Sequence, residues 1–458
     1  MKRLTLILGM FTLLLVSLSN AQQRWERTYG GQYSDEGYSV QQTQDGGYIV
    51  AGMTGSFGND QVYLIKTDAS GDTLWTRNYG GKEGRSVQQT SDTGYIVAGT
   101  TISFGYGDQF YLVKTNASGD TLWTRAYGGT SQDWGKSVQQ TSDGGYIAAG
   151  WTTSFGNAFQ FYLVKTNVSG DTLWTRTYGD TLFDEGNSVQ QTSDGGYIVA
   201  GRTNSFGNLF QVYLIKTNAS GDTLWTRTYG GASQDWGYSV QQTSDGGYIV
   251  AGGTESFGNG DQVYLIKTNA SGDTPWTRTY GDTLFDEGNS VQQTNDGGYI
   301  VVGRTLSFGN RWQVYLIKTN ASGDTLWTRT YGGASQGWGK FVHQTTDEGY
   351  IVAGSCSYSG GYPDIYLIKT DANGNVGVET AGVRGQGLGV RLTAKPNPFT
   401  SFAILPGHEA ERFSLYDVSG RKVGTFRGDR VGEGLAPGVY FLRSSDSRDK
   451  PLRIVKVR

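Results

Sequence analysis

The chain is predicted to be an all-β protein: a closed seven-bladed β-propeller of four-stranded antiparallel blades, followed by a small C-terminal Ig-like β-sandwich. Three observations predict this. Seven tryptophans (Trp25, Trp75, Trp123, Trp174, Trp225, Trp276 and Trp327) stand 50, 48, 51, 51, 51 and 51 residues apart. A fixed period in this range marks one supersecondary unit repeated along the chain. Each unit resolves into four short runs rich in Val, Ile, Tyr, Trp and Thr, separated by glycine-rich turns. Lastly, the chain enters the pattern on a fourth run, at Trp25, and leaves it on a third, at 365–370. If the Trp25 run completes the last blade, the ring closes with no open sheet edge. An open superhelical stack is the rival, but it would expose both ends without polar caps.

Taken in order, residues 1–21 read as a secretory signal peptide. Lys2 and Arg3 precede an apolar stretch at 4–18, and Ser19-Asn20-Ala21 offers a small-residue cleavage site. The apolar run is too short for a membrane anchor, and no second one follows. Residues 22–378 form the propeller. In its fourth unit the runs are 188–192, 197–201, 211–217 and 223–229. The Ser193-Asp194-Gly195-Gly196 turn suits the positive φ of a primed hairpin. The 218–222 turn places Gly221 in the left-handed region, with Asn218 bonding its own backbone. A longer loop, 202–210, lies between these hairpins. Tyr197-Ile198-Val199-Ala200 is apolar on both faces, as for a sheet packed between two neighbours. The recurrent Trp is expected to wedge between blades, each ring burying roughly 150–250 Å².

Two later stretches look like a recent doubling. Residues 174–275 and 276–377 share GDTLFDEG and GGASQ segments, and Trp134, Trp236 and Trp338 recur 102 residues apart. The segments DGGYIVAG and YLIKTNASGDTLW resemble the β-propeller repeats of large exported bacterial proteins, over about 345 residues. The resemblance implies the fold and leaves function open, since propellers host unrelated activities.

Residues 379–391 are a Gly-rich linker and 392–458 a second module. Pro396-Asn397-Pro398, then Asp417, Gly420 and Arg421, then Pro437, Gly438 and Tyr440 punctuate alternating apolar runs, which suits a β-sandwich. These motifs, in this order and with a basic final strand, resemble the type A C-terminal sorting domain of the type IX secretion system. The resemblance implies inner-membrane export by the signal peptide and outer-membrane passage directed by the tail. It also implies release or attachment at the outer surface of a Gram-negative bacterium, with the secretion machinery as a partner. A plain accessory Ig-like domain is the alternative.

Charge separates the two modules. Residues 380–458 carry 14 Lys+Arg against 7 Asp+Glu, whereas the body, without Lys2 and Arg3, carries 22 against 34. A body this acidic is a poor nucleic-acid binder, because phosphate contacts need clustered cations. Cys356 is the sole cysteine, so no intramolecular disulfide forms.

No enzymatic constellation assembles from the residues, and no cofactor or metal is implied. His343 stands where other units have Gln, and His408 lies in the tail. The pairs Asp35-Glu36, Asp184-Glu185 and Asp286-Glu287 recur blade by blade, as turn-capping groups do. A paired-carboxylate glycosidase instead needs one asymmetric centre. The uniform tight turns fall on one rim, and the blade-to-blade and second-to-third-strand loops on the other. There the units differ most, which makes Trp134, Trp236, Trp338, Trp151, Arg202, Arg304 and Trp312 the candidate ligand-binding rim. Aromatics with arginine on variable loops suit a glycan or a surface protein. The expected function is a non-catalytic adhesion or recognition module. The alternatives are a secreted carbohydrate-binding or carbohydrate-degrading protein, or a purely structural surface component.

Overall fold

The structure is a computed structural model that describes residues 24–376, except 104–106, 157, 181, 208, 334 and 358–360. Beyond these it describes 401–402, 405, 412–417, 421–427, 429–444 and 452–456. The expected signal peptide and linker lie outside the described residues. The chain divides into two compact units, Met1–Gly377 and Val378–Arg458.

The first unit contains seven four-stranded antiparallel sheets. Blades 1 to 6 span 35–79, 83–127, 133–178, 184–229, 235–280 and 286–331, each a meander from an inner to an outer strand. Blade 7 takes three strands from 336–370 and its outer strand from Trp25–Tyr29. That N-terminal strand pairs antiparallel with Asp364–Thr370, Trp25 opposite Lys369 and Tyr29 opposite Ile365. The ring is therefore closed by the strand that the phasing of the repeats singles out.

A blade of this composition cannot cover its own faces. In the second strand of blade 1, Tyr48 and Val50 face blade 7, whereas Ile49 and Ala51 face blade 2. The period of two thus divides one apolar run between two interfaces. Seven interface clusters result, each joining the trailing face of one blade to the leading face of the next.

Each outer strand then locks onto the following blade. The Trp174 indole meets the Tyr197 ring edge-on at 5.8 Å, and the Tyr178 hydroxyl donates to the Gly221 carbonyl. Gly221 has φ of 80°, and a Cβ there would lie 2.9 Å from the indole, so two independent constraints demand glycine. The N-terminal strand makes the same lock on blade 1: the Trp25 indole meets Tyr48 edge-on at 5.7 Å and the Tyr29 hydroxyl donates to Gly71 O at 2.6 Å, with an added bond from Trp25 Nε1 to Ala69 O at 3.1 Å.

Two expectations are corrected by these details. The tryptophans other than Trp25 are only partly buried; the deepest large side chains are the seven tyrosines Tyr48, Tyr95, Tyr146, Tyr197, Tyr248, Tyr299 and Tyr350. Trp sits at the outer edge of each interface, so part of its ring stays in water. The tight hairpin is also not a primed turn. Gly195 N bonds back to Thr192 O, and only Gly195 in that turn has positive φ, 82°. This is a three-residue loop closed by a left-handed glycine.

The tight-turn rim also carries a repeated ion pair. Lys216, almost wholly buried, donates to Asp194 at 3.1 Å and to the Thr217 carbonyl at 2.8 Å. The same pair recurs in all seven blades, from Lys66–Asp45 to Lys369–Asp347. Burial alone would raise the Asp194 carboxyl. The bonds from Lys216, Thr192 and the Gly196 N–H outweigh it and hold the carboxyl at about 2.

In the second unit, the described strands form one antiparallel sheet. Lys422–Arg427, Arg412–Tyr416, Gly438–Ser444 and Leu452–Lys456 lie side by side in that order. Leu405, Phe413, Leu415, Val431, Tyr440 and Leu442 make its core. The second sheet that a sandwich needs is not among the described residues.

The ring of Lys–Asp pairs sets an acid limit. A carboxyl held below its unfolded value near 3.9 contributes stability that is complete above that value and lost as pH falls toward the folded one. Urea unfolding is therefore expected to weaken steeply between about pH 4 and about pH 2. Lys216→Met should reduce the drop, and an unchanged profile in that variant would contradict the assignment.

Candidate functional site

The inner strands surround a central channel, and each runs from the loop rim to the tight-turn rim. Its residues are nearly the same in every blade: Gly, a variable position, then Ser-Val-Gln-Gln. Three tiers of inter-blade bonds follow from that repetition. The Ser188 hydroxyl accepts from Val240 N at 3.2 Å, and Gln190 Oε1 accepts from Gln242 N at 2.6 Å. Gln242 Oε1 in turn accepts from Ser193 N of the preceding blade at 2.8 Å. The third tier is complete around the ring, its last bond running from Thr346 N to Gln42 Oε1.

The first two tiers break at one seam. Blade 7 has Phe341 for the serine and His343 for the first glutamine, so neither bond forms from blade 7 to blade 1. Phe341 packs instead against the blade 7–blade 1 core. His343 lines a channel cavity of about 240 Å³ together with Gln41, Gln88, Gln139, Gln190, Gln241 and Gln292. Its Nδ1 is buried without a hydrogen-bond partner, and burial pushes its pKa below the ordinary histidine value.

All seven candidate rim residues lie at the loop end: Trp134, Trp236 and Trp338 on inner strands, Trp151, Arg202 and Arg304 on second strands, and Trp312 on a second-to-third-strand loop. Trp134 and Trp151 are register partners and stack at 5.4 Å with planes 13° apart. Trp151 touches Phe159, Phe159 stacks on Phe183, and Phe183 meets Phe210. Trp236 lies across Gly253, its register partner, and Trp338 faces Ser355.

The two arginines are braces. Arg202 Nε donates to Glu185 at 2.9 Å while its guanidinium lies over Phe183 and Phe210. Arg304 does the same with Glu287 at 2.6 Å, over Phe285 and Trp312. Trp151 is 8% exposed, and Lys82 and Lys136 both sit over the Trp134 ring. Much of the candidate set therefore packs the walls of the rim. The carboxylates paired in sequence divide their work: Asp184 accepts from Asp180 N at 3.0 Å and from the Ser205 hydroxyl at 2.7 Å, and Glu185 holds Arg202.

The open aromatic surface comes from residues that repetition conceals. Phe57, Phe155, Phe206, Phe257 and Phe308, from the recurrent SFG loops, are 39–59% exposed. Each leans on a third-strand tyrosine, as Phe206 does on Tyr213 at 5.3 Å. Their recurrence hid them from a search for variable positions.

A second set was legible but not picked out. Each inner strand carries a register shift after its glycine, and a bulge of this kind re-aims a side chain. The shifted residues are Tyr38, Arg85, Lys136, Asn187, Tyr238, Asn289 and Lys340. They are the variable position on an otherwise repeated strand, and every one has a polar head. Among the described residues, no three His, Cys, Asp or Glu side chains gather as metal ligands.

In the tail, Asp417 Oδ1 accepts from Arg421 N at 3.0 Å and Oδ2 from Arg421 Nε at 3.1 Å, clamping one turn. The Tyr440 hydroxyl closes another on Ala436 O, around Pro437 and Gly438. Pro396, Asn397, Pro398 and Gly420 lie outside the described residues.

No family model and no curated protein matches the chain. Among solved structures, a Bacteroides caccae protein of unknown function aligns at 14% identity, covering 62% of this chain and 94% of its own, with TM-score 0.40. The WD40 β-propeller domain of Doa1 aligns at 14% over 75% and 96%, TM-score 0.48. The Neurospora crassa Pan2 WD40 domain aligns at 11% over 76% and 96%, TM-score 0.46. At these identities and scores the neighbours add nothing to the strand pairing, which establishes the propeller by itself.

The broken tiers make a direct test. His343→Gln gives blade 7 the acceptor that six other blades use and removes a buried unpartnered nitrogen. It is expected to raise unfolding stability by about 0.5–1.5 kcal/mol. Because burial lowers the His343 pKa, the unfolded chain binds its proton first, so wild-type stability should fall as pH drops below about 6.5. The variant should lack that decline; equal or lower stability in urea unfolding would contradict the seam.

Proposed function

We propose that the protein is a non-catalytic recognition module, acting at a cell surface or in the secreted fraction through its loop rim. The observation that carries this reading is the contrast between the two rims. One repeats the same turns and ion pairs in every blade; the other carries exposed phenylalanines and blade-specific residues. Loops held between rigid strands and presenting aromatic side chains suit flat, partly apolar partners, such as a glycan face or a protein loop. The walls behind them are braced by Glu185–Arg202 and Glu287–Arg304, so little ordering entropy opposes binding.

Delivery by the tail belongs to the same proposal. The sequence motifs of the second unit favour a type IX sorting domain with an Ig-like fold, and the signal peptide favours export. The described sheet and its two clamped turns are compatible with that reading. A purely structural surface component remains the competing outcome.

A glycan array probed with the mature protein separates these. Specific hits lost in a Trp134→Ala, Trp236→Ala double variant and weakened in Phe206→Ala are expected for rim recognition. Absence of any hit, together with no captured surface protein, would favour the structural reading. Hydrolysis of an arrayed polysaccharide would overturn the non-catalytic assignment.

A further inference from the structure

The central channel has a wall whose chemistry the recognition reading does not use. Its cavity of about 240 Å³ is lined by two tiers of side chains, serines from Ser86 to Ser290 and glutamines from Gln41 to Gln292, with Phe341 and His343 in their places at blade 7. The valines between the tiers turn their side chains into the blade interfaces, as Val189 and Val240 do. Among the described residues, no Asp, Glu, Lys or Arg lines the cavity. An ion held there would lack an opposite charge to offset its desolvation, so the wall favours a neutral ligand.

The glutamine amides of this wall are set in one orientation. All six Oε1 atoms accept a backbone N–H of the next blade, at 2.5–2.6 Å. An amide whose oxygen is held has the direction of its NH2 group fixed as well. In several blades the following glutamine spends that group on its own turn, as Gln140 Nε2 does on Gly144 O at 3.3 Å and Gln293 Nε2 on Gly297 O at 3.4 Å. Among the described residues, none of the six channel Nε2 atoms has a protein acceptor, and none is sealed from solvent. They are donors aimed by the fold and left open to the channel. Blade 7 supplies the contrasting surface. Phe341 is half-buried against the blade 7–blade 1 core, and it also lines the cavity. The cavity is therefore hydrogen-bonding at six blades and aromatic at the seventh.

A sugar ring has the same division, with hydroxyls around its edge and an apolar C–H face. We propose that the channel binds one neutral pyranose, its apolar face on Phe341 and its hydroxyl oxygens accepting from the Nε2 groups of Gln41 and Gln292, the glutamines of the two blades that flank blade 7. The serine hydroxyls accept from the next blade, as Ser137 does from Val189 N at 3.2 Å, and keep their hydrogens for the same ligand. A cavity of about 240 Å³ falls just below the size of sites for drug-sized molecules, which matches a single ring. Because the amides are held before the ligand arrives, little side-chain ordering opposes binding. The site uses none of the rim residues, so the inference stands whether or not the rim engages a partner.

Isothermal titration of the full chain with D-galactose, D-glucose, D-mannose and sodium D-galacturonate tests it. Binding of at least one neutral sugar is expected, with galacturonate weaker than galactose. Phe341→Ser gives blade 7 the residue that the other six blades carry at this position, so the fold should be kept, as far-UV circular dichroism would confirm. It removes the aromatic surface and should weaken sugar binding by about tenfold. Gln41→Met removes one donor on another blade and should weaken binding by about two- to tenfold, which keeps the test open if the first variant fails to fold. Equal affinity in Phe341→Ser and wild type would overturn the proposal. So would galacturonate binding as tightly as the neutral sugars, or no binding of any neutral sugar up to about 10 mM.

Discussion

A four-stranded blade whose second and third strands are apolar on both faces must be covered from both sides. Everything else in the propeller follows from meeting that demand seven times in a circle. Six blades obtain all four strands from consecutive sequence. The seventh obtains its outer strand from the opposite end of the chain, and the contacts of Trp25 with Tyr48 and of Tyr29 with Gly71 reproduce the lock used between the other blades. Without that strand, Asp364–Thr370 would be an open edge and one inter-blade interface would lose its outer aromatic contact.

The interfaces are apolar in the middle and polar at both ends. Tyrosine, isoleucine, valine and leucine fill the centre, the Lys–Asp pairs close the tight-turn side, and serine and glutamine stitch neighbouring inner strands along the channel. Buried polar groups of this kind fix geometry more than they add stability, because each bond mainly replaces one to water. Their position explains why the ring repeats so faithfully: a change at one seam leaves an unmet donor in the next blade. Blade 7 tolerates such changes at Phe341 and His343, at the seam where the ends of the chain meet. There the loss of two bonds is accompanied by added apolar packing from Phe341.

Much of this was legible in the sequence because repetition multiplies weak signals. Seven copies of Tyr-Ile-Val-Ala at one phase identify a strand buried on both faces, and the offset between the first Trp and the last third strand implies closure. The depth of each aromatic was not legible: tryptophan and tyrosine both fit a packed strand, and only the curvature of the ring puts Trp174 at the edge and Tyr197 inside. The turn type escaped for a related reason. Asp194-Gly195-Gly196 is compatible with several hairpins, and the bond from Gly195 N to Thr192 O selects one of them. Blade-to-blade variation marks Trp134 and Arg202 in the sequence, whereas the hold of Glu185 on Arg202 depends on the fold. Phe206 is concealed because that residue recurs, although its recurrence puts exposed phenylalanines on five blades of the same rim. The bulged positions from Tyr38 to Lys340 are legible as the one variable residue of a repeated strand, but the register shift that re-aims them is not.

The claim on which the account rests is that residues 25–29 complete blade 7. Hydrogen–deuterium exchange over this segment and over 364–370 tests it most directly. Both are expected to be protected to the degree of the outer and third strands of blade 4, Thr223–Tyr229 and Gln211–Thr217. Rapid exchange of 25–29, with 364–370 exchanging as an exposed edge, would contradict closure of the ring.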